Sequence, residues 1–136
     1  MKFVIENWYL FAALVVILVM IAWSPLLRLI YGIRTSAVQS AVNLINRESA
    51  VIVDVCEPTE FQQGHLPRAM NIPLGNLAAR VNELEKYRQQ PILVTCRSGN
   101  RSIRGALTLR KNGFAQVYSL NGGLMAWEKE HLPVEK

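Results

Sequence analysis

The residue best suited to chemistry is Cys96, which follows a short apolar run and precedes a loop of small and polar residues. Segment 92–102 has the sequence ILVTCRSGNRS, which predicts a buried strand, a loop and the start of a helix. A helix N-terminus directs backbone N–H groups and a favourable dipole at a negatively charged atom. Arg97 and Arg101 add positive charge, and Gly99 permits the left-handed backbone that a concave loop needs. These features favour a thiolate nucleophile at Cys96, and the same donors would hold a terminal persulfide anion.

Two other interpretations of this loop are less favoured. A cysteine at a strand end can be structural, but a structural cysteine does not need two arginines and a glycine in the next five residues. Cysteine-dependent phosphatases and arsenate reductases place an arginine six positions after the cysteine, around an oxyanion. Here four residues separate Cys96 from Arg101, so the loop is one residue shorter and suits a sulfur atom better than a phosphate. No aspartate stands where it would obviously protonate an ester leaving group.

Other polar residues near strand ends have weaker signals. Asp54 ends a predicted strand, where it either positions the cysteine loop by hydrogen bonds or caps a turn. His65 is a lone histidine in a loop, so no metal site is expected. The two cysteines, Cys56 and Cys96, are far apart and not in a C-x-x-C motif, which argues against a disulfide framework.

The elements that would position these residues alternate along the chain. Strands are predicted at 51–55, 92–95 and 116–120, an extended segment at 69–72, and helices at 37–47, 58–63, 76–87, 102–112 and through Trp127. Residues 28–36 are expected to form a link, with Thr35 or Ser36 capping the next helix. Alternating strands and helices predict an α/β fold with a parallel sheet covered on both faces. In such sheets ligands bind beyond the carboxyl ends of the strands.

The N-terminal region carries a long apolar run. Residues 8–23 contain no charged residue, and apolar residues continue to Leu27. About 20 apolar residues at 1.5 Å each match a hydrocarbon core of roughly 30 Å, so residues 8–27 predict a retained transmembrane helix in a lipid bilayer. A cleaved signal peptide is the alternative, but Pro25 would follow the best cleavage site and block it.

Basic residues on either side of the apolar run set its expected orientation. Lys2 precedes the run, whereas Arg28 and Arg34 follow it. The excess of positive charge after the run predicts that the C-terminal part faces the cytoplasm. One short anchor before one domain is typical of a single-pass protein of the bacterial inner membrane. The chain is accordingly divided into an anchor with its link, 1–34, and a domain, 35–136.

The charge of the domain argues against nucleic-acid binding. Residues 35–136 hold 12 of the 15 basic and 9 of the 10 acidic residues, a net charge of +3. They contain no basic run, and the aromatic residues are not interleaved with arginine. The charged residues are interpreted as a solvated surface of the domain. Neither a cofactor nor a metal is expected.

Three sequence blocks resemble the single-domain rhodanese family over about residues 36–130. They are D-V-C-E-P-x-E-F-x-x-G-H-L-P-x-A-x-N-I-P from Asp54, C-R-S-G-N-R-S from Cys96, and V-x-x-L-x-G-G-x-x-x-W from Val117. The resemblance implies a parallel five-stranded sheet flanked by helices. It also implies a sulfurtransferase in which Cys96 takes sulfane sulfur from a donor such as thiosulfate and passes it to cyanide or a protein thiol. The implied persulfide cradle comprises Arg97, Ser98, Gly99, Asn100 and Arg101.

Two positions depart from the family pattern. The family usually has arginine where this chain has Cys56, and often glycine where it has Arg68. The first change removes an expected ion-pair partner of Glu60. The favoured interpretation of Cys56 is a small substitute that points outward. Because the strands before Cys56 and Cys96 are neighbours in the family's sheet, Cys56 is alternatively a thiol that resolves a Cys96 persulfide as a disulfide.

The resemblance leaves a second function open. The intact cysteine loop favours an enzyme, whereas the predicted anchor and the lost arginine leave room for an interaction module. Such a module would use the rhodanese fold to bind a membrane-protein partner, and its sulfur chemistry would be incidental.

Overall fold

The computed structural model describes the backbone of all 136 residues and every side chain except those of residues 24, 27, 28 and 31. The chain divides into two compact units, Met1–Gly32 and Ile33–Lys136. The side chains of Leu27 and Arg28, on which the end of the predicted membrane span and its flanking charge depend, lie outside the described residues.

The N-terminal unit is helical. It consists of α1 (Lys2–Glu6) and α2 (Trp8–Tyr31), and α2 continues through Pro25. The large apolar side chains described along α2 are exposed. Within the part of the chain that the structure describes, no helix combines the length and the apolar character needed to traverse a bilayer. The transmembrane anchor expected over residues 8–27 is therefore not supported by the structure.

The second unit contains a five-stranded, fully parallel sheet with the order β1-β5-β4-β2-β3. Its strands are β1 (Arg34–Ser36), β2 (Val51–Asp54), β3 (Met70–Asn71), β4 (Ile92–Thr95) and β5 (Val117–Leu120). The central strand β4 is buried at every position, which is why its sequence is an uninterrupted apolar run until Thr95. The predicted α/β fold with a five-stranded parallel sheet flanked by helices is confirmed.

Helices connect these strands. They are α3 (Val38–Glu48), α4 (Pro58–Gln63), α5 (Leu74–Leu77), a 3-10 helix (Val81–Tyr87), α6 (Asn100–Lys111) and α7 (Gly123–Lys129). The helix predicted over 76–87 is divided between α5 and the 3-10 helix. The division keeps Leu77, Val81 and Leu84 buried together.

Strand β1 corrects the prediction for residues 28–36. Its three residues pair in register with β5, from Arg34 opposite Tyr118 to Ser36 opposite Leu120. The proposed side-chain cap of α3 is also wrong. Ala37 is the N-cap and provides no side-chain bond, while the Ser36 hydroxyl donates to the Ala37 carbonyl. The sequence of β1 is short and polar and has no alternating pattern. Its strand conformation therefore depends on the pairing with β5.

Two apolar clusters cover the two faces of the sheet. One cluster joins residues of the strands and of their ends to α5, the 3-10 helix and α6: Val53, Val55, Cys56, Ile72, Leu77, Val81, Leu84, Ile92, Val94, Cys96, Ala106, Leu109, Phe114 and Val117. The other joins the intervening residues to α3 and α7: Ala41, Ile52, Leu66, Leu93, Leu120, Leu124 and Trp127. Packing against both faces holds the sheet in place and thereby positions the loop that follows β4.

Candidate active site

The sulfur of Cys96 accepts backbone hydrogen bonds at the carboxyl end of β4. The N–H groups of Gly99 and Ser102 donate to Cys96 Sγ at 2.9 and 3.3 Å. Cys96 is 1% exposed, and α6 begins at Asn100, so the sulfur stands at the helix N-terminus. Both the donors and the helix dipole favour negative charge on this sulfur.

The loop around the sulfur is held by a glycine and a buried hydroxyl. Gly99 is the N-cap of α6 with φ +100°, and a Cβ there would lie 3.1 Å from the backbone nitrogen of Gly122. The Ser102 hydroxyl donates to the Gly99 carbonyl at 2.9 Å and lies 2.7 Å from the hydroxyl of Ser119. Sequence reasoning used Ser102 only as the start of a helix and did not identify its contacts with the loop.

Helix α7 supports the loop through its first turn. The N–H of Leu124 donates to the Cys96 carbonyl at 2.8 Å, and that of Met125 donates to the Arg97 carbonyl at 3.1 Å. In a planar trans peptide, the carbonyl and the following N–H point in opposite directions. With these two carbonyls turned toward α7, the N–H groups of Arg97 and Ser98 point away from α7, into the loop. The first turn of α7 therefore fixes the orientation of the loop peptides.

This support depends on Gly123. A Cβ on Gly123 would collide with the Cys96 carbonyl oxygen and would lie 2.8 Å from the Arg97 carbonyl carbon. The backbone of α7 approaches the loop this closely because position 123 has no side chain. Two adjacent glycines beyond the carboxyl end of a predicted strand were a signal for this contact, which the sequence analysis did not use.

The polar side chains of the predicted cradle have different surroundings. Arg97, Ser98 and Asn100 are exposed. Arg101 instead pairs with Glu60 of α4: its Nη1 and Nη2 donate to the two carboxylate oxygens at 2.7 and 2.9 Å. Glu60 therefore has an arginine partner in spite of the cysteine at position 56, which corrects the expected loss of its ion pair.

The Glu60–Arg101 pair is fully charged at neutral pH. Hydrogen bonds from Arg101 lower the pKa of Glu60 to about 2, and the charge of Arg97 acts in the same direction. The same hydrogen bonds raise the pKa of Arg101 above its usual value, and the cysteines 56 and 96 add to this increase. Arg101 therefore keeps its positive charge at the end of the cysteine loop.

Asp54 caps a turn and does not bond to the cysteine loop. Its Oδ1 accepts the N–H of Cys56 at 2.8 Å, and its own carbonyl accepts the N–H of Ile72 at 2.9 Å. Burial raises the pKa of the Asp54 carboxyl above its ordinary value. Of the two roles considered for Asp54, these contacts match the cap of a turn, which stabilises the chain after β2.

Cys56 is buried, which corrects the outward-pointing position expected for it. It is 5% exposed and belongs to the same apolar cluster as Cys96. Both cysteines are free thiols. Burial, followed by the charge of Asp54 and a hydrogen bond with it, raises the pKa of the Cys56 thiol to about 12. A thiol in this state is a poor nucleophile at neutral pH.

His65 has a structural position. Its ring stacks on Phe61 with centroids 3.6 Å apart, and Nδ1 donates to the Phe61 carbonyl at 2.7 Å. Its backbone pairs with Glu135 near the C-terminus. Within the described residues, no group of three or more histidine, cysteine or acidic side chains is arranged to hold a metal ion.

Comparisons with known proteins find relatives of this chain. Residues 37–130 match the family model described as rhodanese-like domain. The chain is 34% identical over 135 residues to the uncharacterized protein YibN of Escherichia coli strain K12, covering 98% of this chain and 94% of that one. It is 35% identical over 92 residues to thiosulfate sulfurtransferase GlpE of Pseudoalteromonas translucida, covering 68% and 86% of the two chains. A crystal structure of a rhodanese-related protein from Thermoplasma volcanium superimposes with a TM-score of 0.68 at 28% identity, covering 75% and 97%.

Proposed function

The chain belongs to the rhodanese-like domain family, and from this premise we propose that it is a sulfurtransferase with Cys96 as the nucleophile. The observation that carries the proposal is the pair of backbone hydrogen bonds from Gly99 and Ser102 to Cys96 Sγ at the N-terminus of α6. These donors suit a thiolate and the persulfide made from it. Relatives named sulfurtransferase, from Allochromatium vinosum and Pseudoalteromonas translucida, support the reaction class.

The proposed reaction has two transfers of one sulfur atom. The Cys96 thiolate attacks the outer sulfur of thiosulfate, a new S–S bond forms at Sγ, and the bond to the donor breaks with its electron pair leaving on sulfite. A thiophilic acceptor, such as cyanide or a protein thiol, then attacks the outer sulfur of the persulfide. That S–S bond breaks and the electron pair returns to Cys96. The loop donors stabilise the charge on sulfur before and after each transfer.

A turnover assay tests this proposal. The full chain, mixed with thiosulfate and cyanide, is expected to form thiocyanate with ping-pong kinetics. The Cys96→Ser variant is expected to lose this activity, whereas Cys56→Ser keeps it. Activity that survives in Cys96→Ser would exclude Cys96 as the nucleophile.

We also propose that α2 tethers the domain to the inner membrane, with the domain on the cytoplasmic side. Residues 8–23 carry no charge, and their described large apolar side chains are exposed, as expected for a surface in contact with lipid. Protease treatment of intact spheroplasts tests the orientation. A C-terminal tag that resists protease until the membrane is broken supports it, and a tag that is removed at once contradicts it.

A second candidate function is a membrane-tethered interaction module with little sulfur transfer. One observation favours it: an apolar cavity of about 380 Å³ that does not include Cys96 and is lined by residues such as Val42, Ile45, Ile52, Trp127 and Leu132. The Cys96→Ser variant separates the two functions, since a module would keep its cellular role without the nucleophile.

A further inference from the structure

One ion pair beside the cysteine loop joins two elements that are distant in the sequence. Arg101, the last residue of the loop, and Glu60 of α4 form a bidentate pair across 41 residues of sequence. Both terminal nitrogens of the guanidinium are engaged, and the pair is partly buried, with side chains 36% and 28% exposed. The two groups of Arg101 best suited to bind a second anion are thus already occupied by a carboxylate.

Arg97 is therefore the loop arginine whose guanidinium can bind a substrate. Its side chain is exposed and makes no hydrogen bond or ion pair within the described residues. The positive charge of Arg97 also acts on the Glu60 carboxylate. Because Glu60 neutralises the charge of Arg101, the loop is less positive than its two arginines indicate.

We infer that Glu60, through its pair with Arg101, makes the site prefer a sulfur donor of low negative charge, the persulfide of a thiol, over the thiosulfate dianion. This inference rests on the proposed sulfur transfer at Cys96. A dianion that approaches the loop meets the Glu60 carboxylate and one unpaired guanidinium. A persulfide anion carries half that charge, so the same carboxylate opposes it less.

The leaving group leads to the same conclusion. With a persulfide donor, the Cys96 thiolate attacks the outer sulfur, the new S–S bond forms at Sγ, and the electron pair leaves on a thiolate. With thiosulfate the electron pair leaves on sulfite, a dianion that needs strong positive charge near the donor. Arg101 supplies less of that charge while both of its terminal nitrogens bind Glu60.

The experiment compares two donors on the full chain. The second-order rate constant for persulfide formation at Cys96 is measured with thiosulfate and with the persulfide of 2-mercaptoethanol, by mass spectrometry of quenched samples. The unmodified protein is expected to react faster with the persulfide. Glu60→Gln frees Arg101, and its rate constant with thiosulfate is expected to rise roughly tenfold while that with the persulfide changes much less.

Two variants control for other effects. Glu57→Gln removes the same charge from an exposed position just before α4 that has no arginine partner within the described residues, and is expected to keep the donor ratio of the unmodified protein. Glu60→Asp keeps the carboxylate and is expected to stay nearer to that ratio than Glu60→Gln. These variants separate the ion pair from loss of charge in general.

The possible failures are distinguishable. A donor ratio that Glu60→Gln leaves unchanged, while both donors still load Cys96, would overturn the inference and leave the proposed function intact. An equal change in Glu57→Gln would also overturn it, because the effect would then come from overall charge. If neither donor loads Cys96 in the unmodified protein, the sulfur transfer itself fails and the inference falls with it.

Discussion

Cys96 and Cys56 share an apolar cluster, yet their surroundings act on the two sulfur atoms in opposite ways. Cys96 Sγ accepts two backbone hydrogen bonds at a helix N-terminus. Cys56 lies beside the Asp54 carboxyl group, and burial together with that group raises the pKa of its thiol to about 12. Since the thiolate is the attacking species in thiol–disulfide exchange, Cys56 supplies very little of it at neutral pH. Nucleophilic chemistry is therefore expected at Cys96 alone.

A comparison of the unmodified chain with Cys56→Ser tests this assignment. Both proteins, loaded with sulfur and analysed without reductant, are expected to accumulate the Cys96 persulfide at the same rate, and the unmodified chain is expected to form no internal disulfide. Nonreducing peptide mapping measures the disulfide directly. A Cys56–Cys96 crosslink that appears on loading would restore the hypothesis that Cys56 resolves the persulfide.

The Glu60–Arg101 pair predicts a specific dependence of stability on pH. The pKa of Glu60 is lowered from 4.5 to about 2 in the folded chain, so its contribution is fully present above pH 4.5 and is lost as the pH falls toward 2. Because Arg101 is 36% exposed, solvent screening limits the contribution to about 1 kcal/mol. Urea unfolding of Glu60→Gln should show this loss at pH 7 and a smaller one near pH 3. An equal loss of stability at both pH values would show that the ion pair is not the source of the loss.

Helix α7 is expected to be part of the catalytic architecture, because its first turn holds two loop carbonyls. Gly123→Ala introduces a Cβ against the Cys96 carbonyl at a position with φ +56°. We expect thiocyanate formation to fall by about 10²-fold, similar to the loss of an oxyanion-hole donor. Stopped assays on the folded variant, verified by circular dichroism, measure this loss.

Gly113→Ala is the matched control for that variant. Gly113 also has positive φ, at +90°, but it follows α6 far from the loop. A Cβ there would also meet the end of the flexible Arg88 side chain, which would have to move. The substitution should cost about 1–2 kcal/mol of stability from the left-handed backbone and leave the activity unchanged. Equal activity losses in the two variants would show that general destabilisation, and not the orientation of the loop, explains the effect of Gly123→Ala.

Elements that nearby residues determine could be predicted from the sequence. Elements that depend on contacts between distant residues could not. Helix α4 has the predicted bounds because Pro58 and the reciprocal bonds of Glu57 and Glu60 define its start within a few residues. The cysteine loop was recognised for the same reason. Strand β1 exists through its pairing with β5, and the Glu60–Arg101 pair joins residues 41 positions apart. No local pattern encodes contacts of this kind.

At the scale of the whole molecule, the proposed membrane association rests on the exposed apolar side chains of α2. A lysine near the middle of that run, Val16→Lys, should cost about 2.5–3.5 kcal/mol in a bilayer and release much of the protein into the soluble fraction. The control Ala115→Lys adds the same charge at an exposed position of the second unit and should leave the protein in the membrane fraction. Immunoblots of fractionated cells measure both variants, and identical fractionation would contradict a role for α2.

The central claim is that Cys96 carries sulfane sulfur, and intact mass spectrometry of the full chain tests it most directly. After incubation with thiosulfate or a small persulfide, the protein is expected to gain the mass of one sulfur atom, and a reducing thiol should remove it. Cys96→Ser should gain nothing, while Cys56→Ser should gain the sulfur as the unmodified chain does. A folded, unmodified chain that gains no sulfur from any of several donors, or a gain that persists in Cys96→Ser, would contradict the claim.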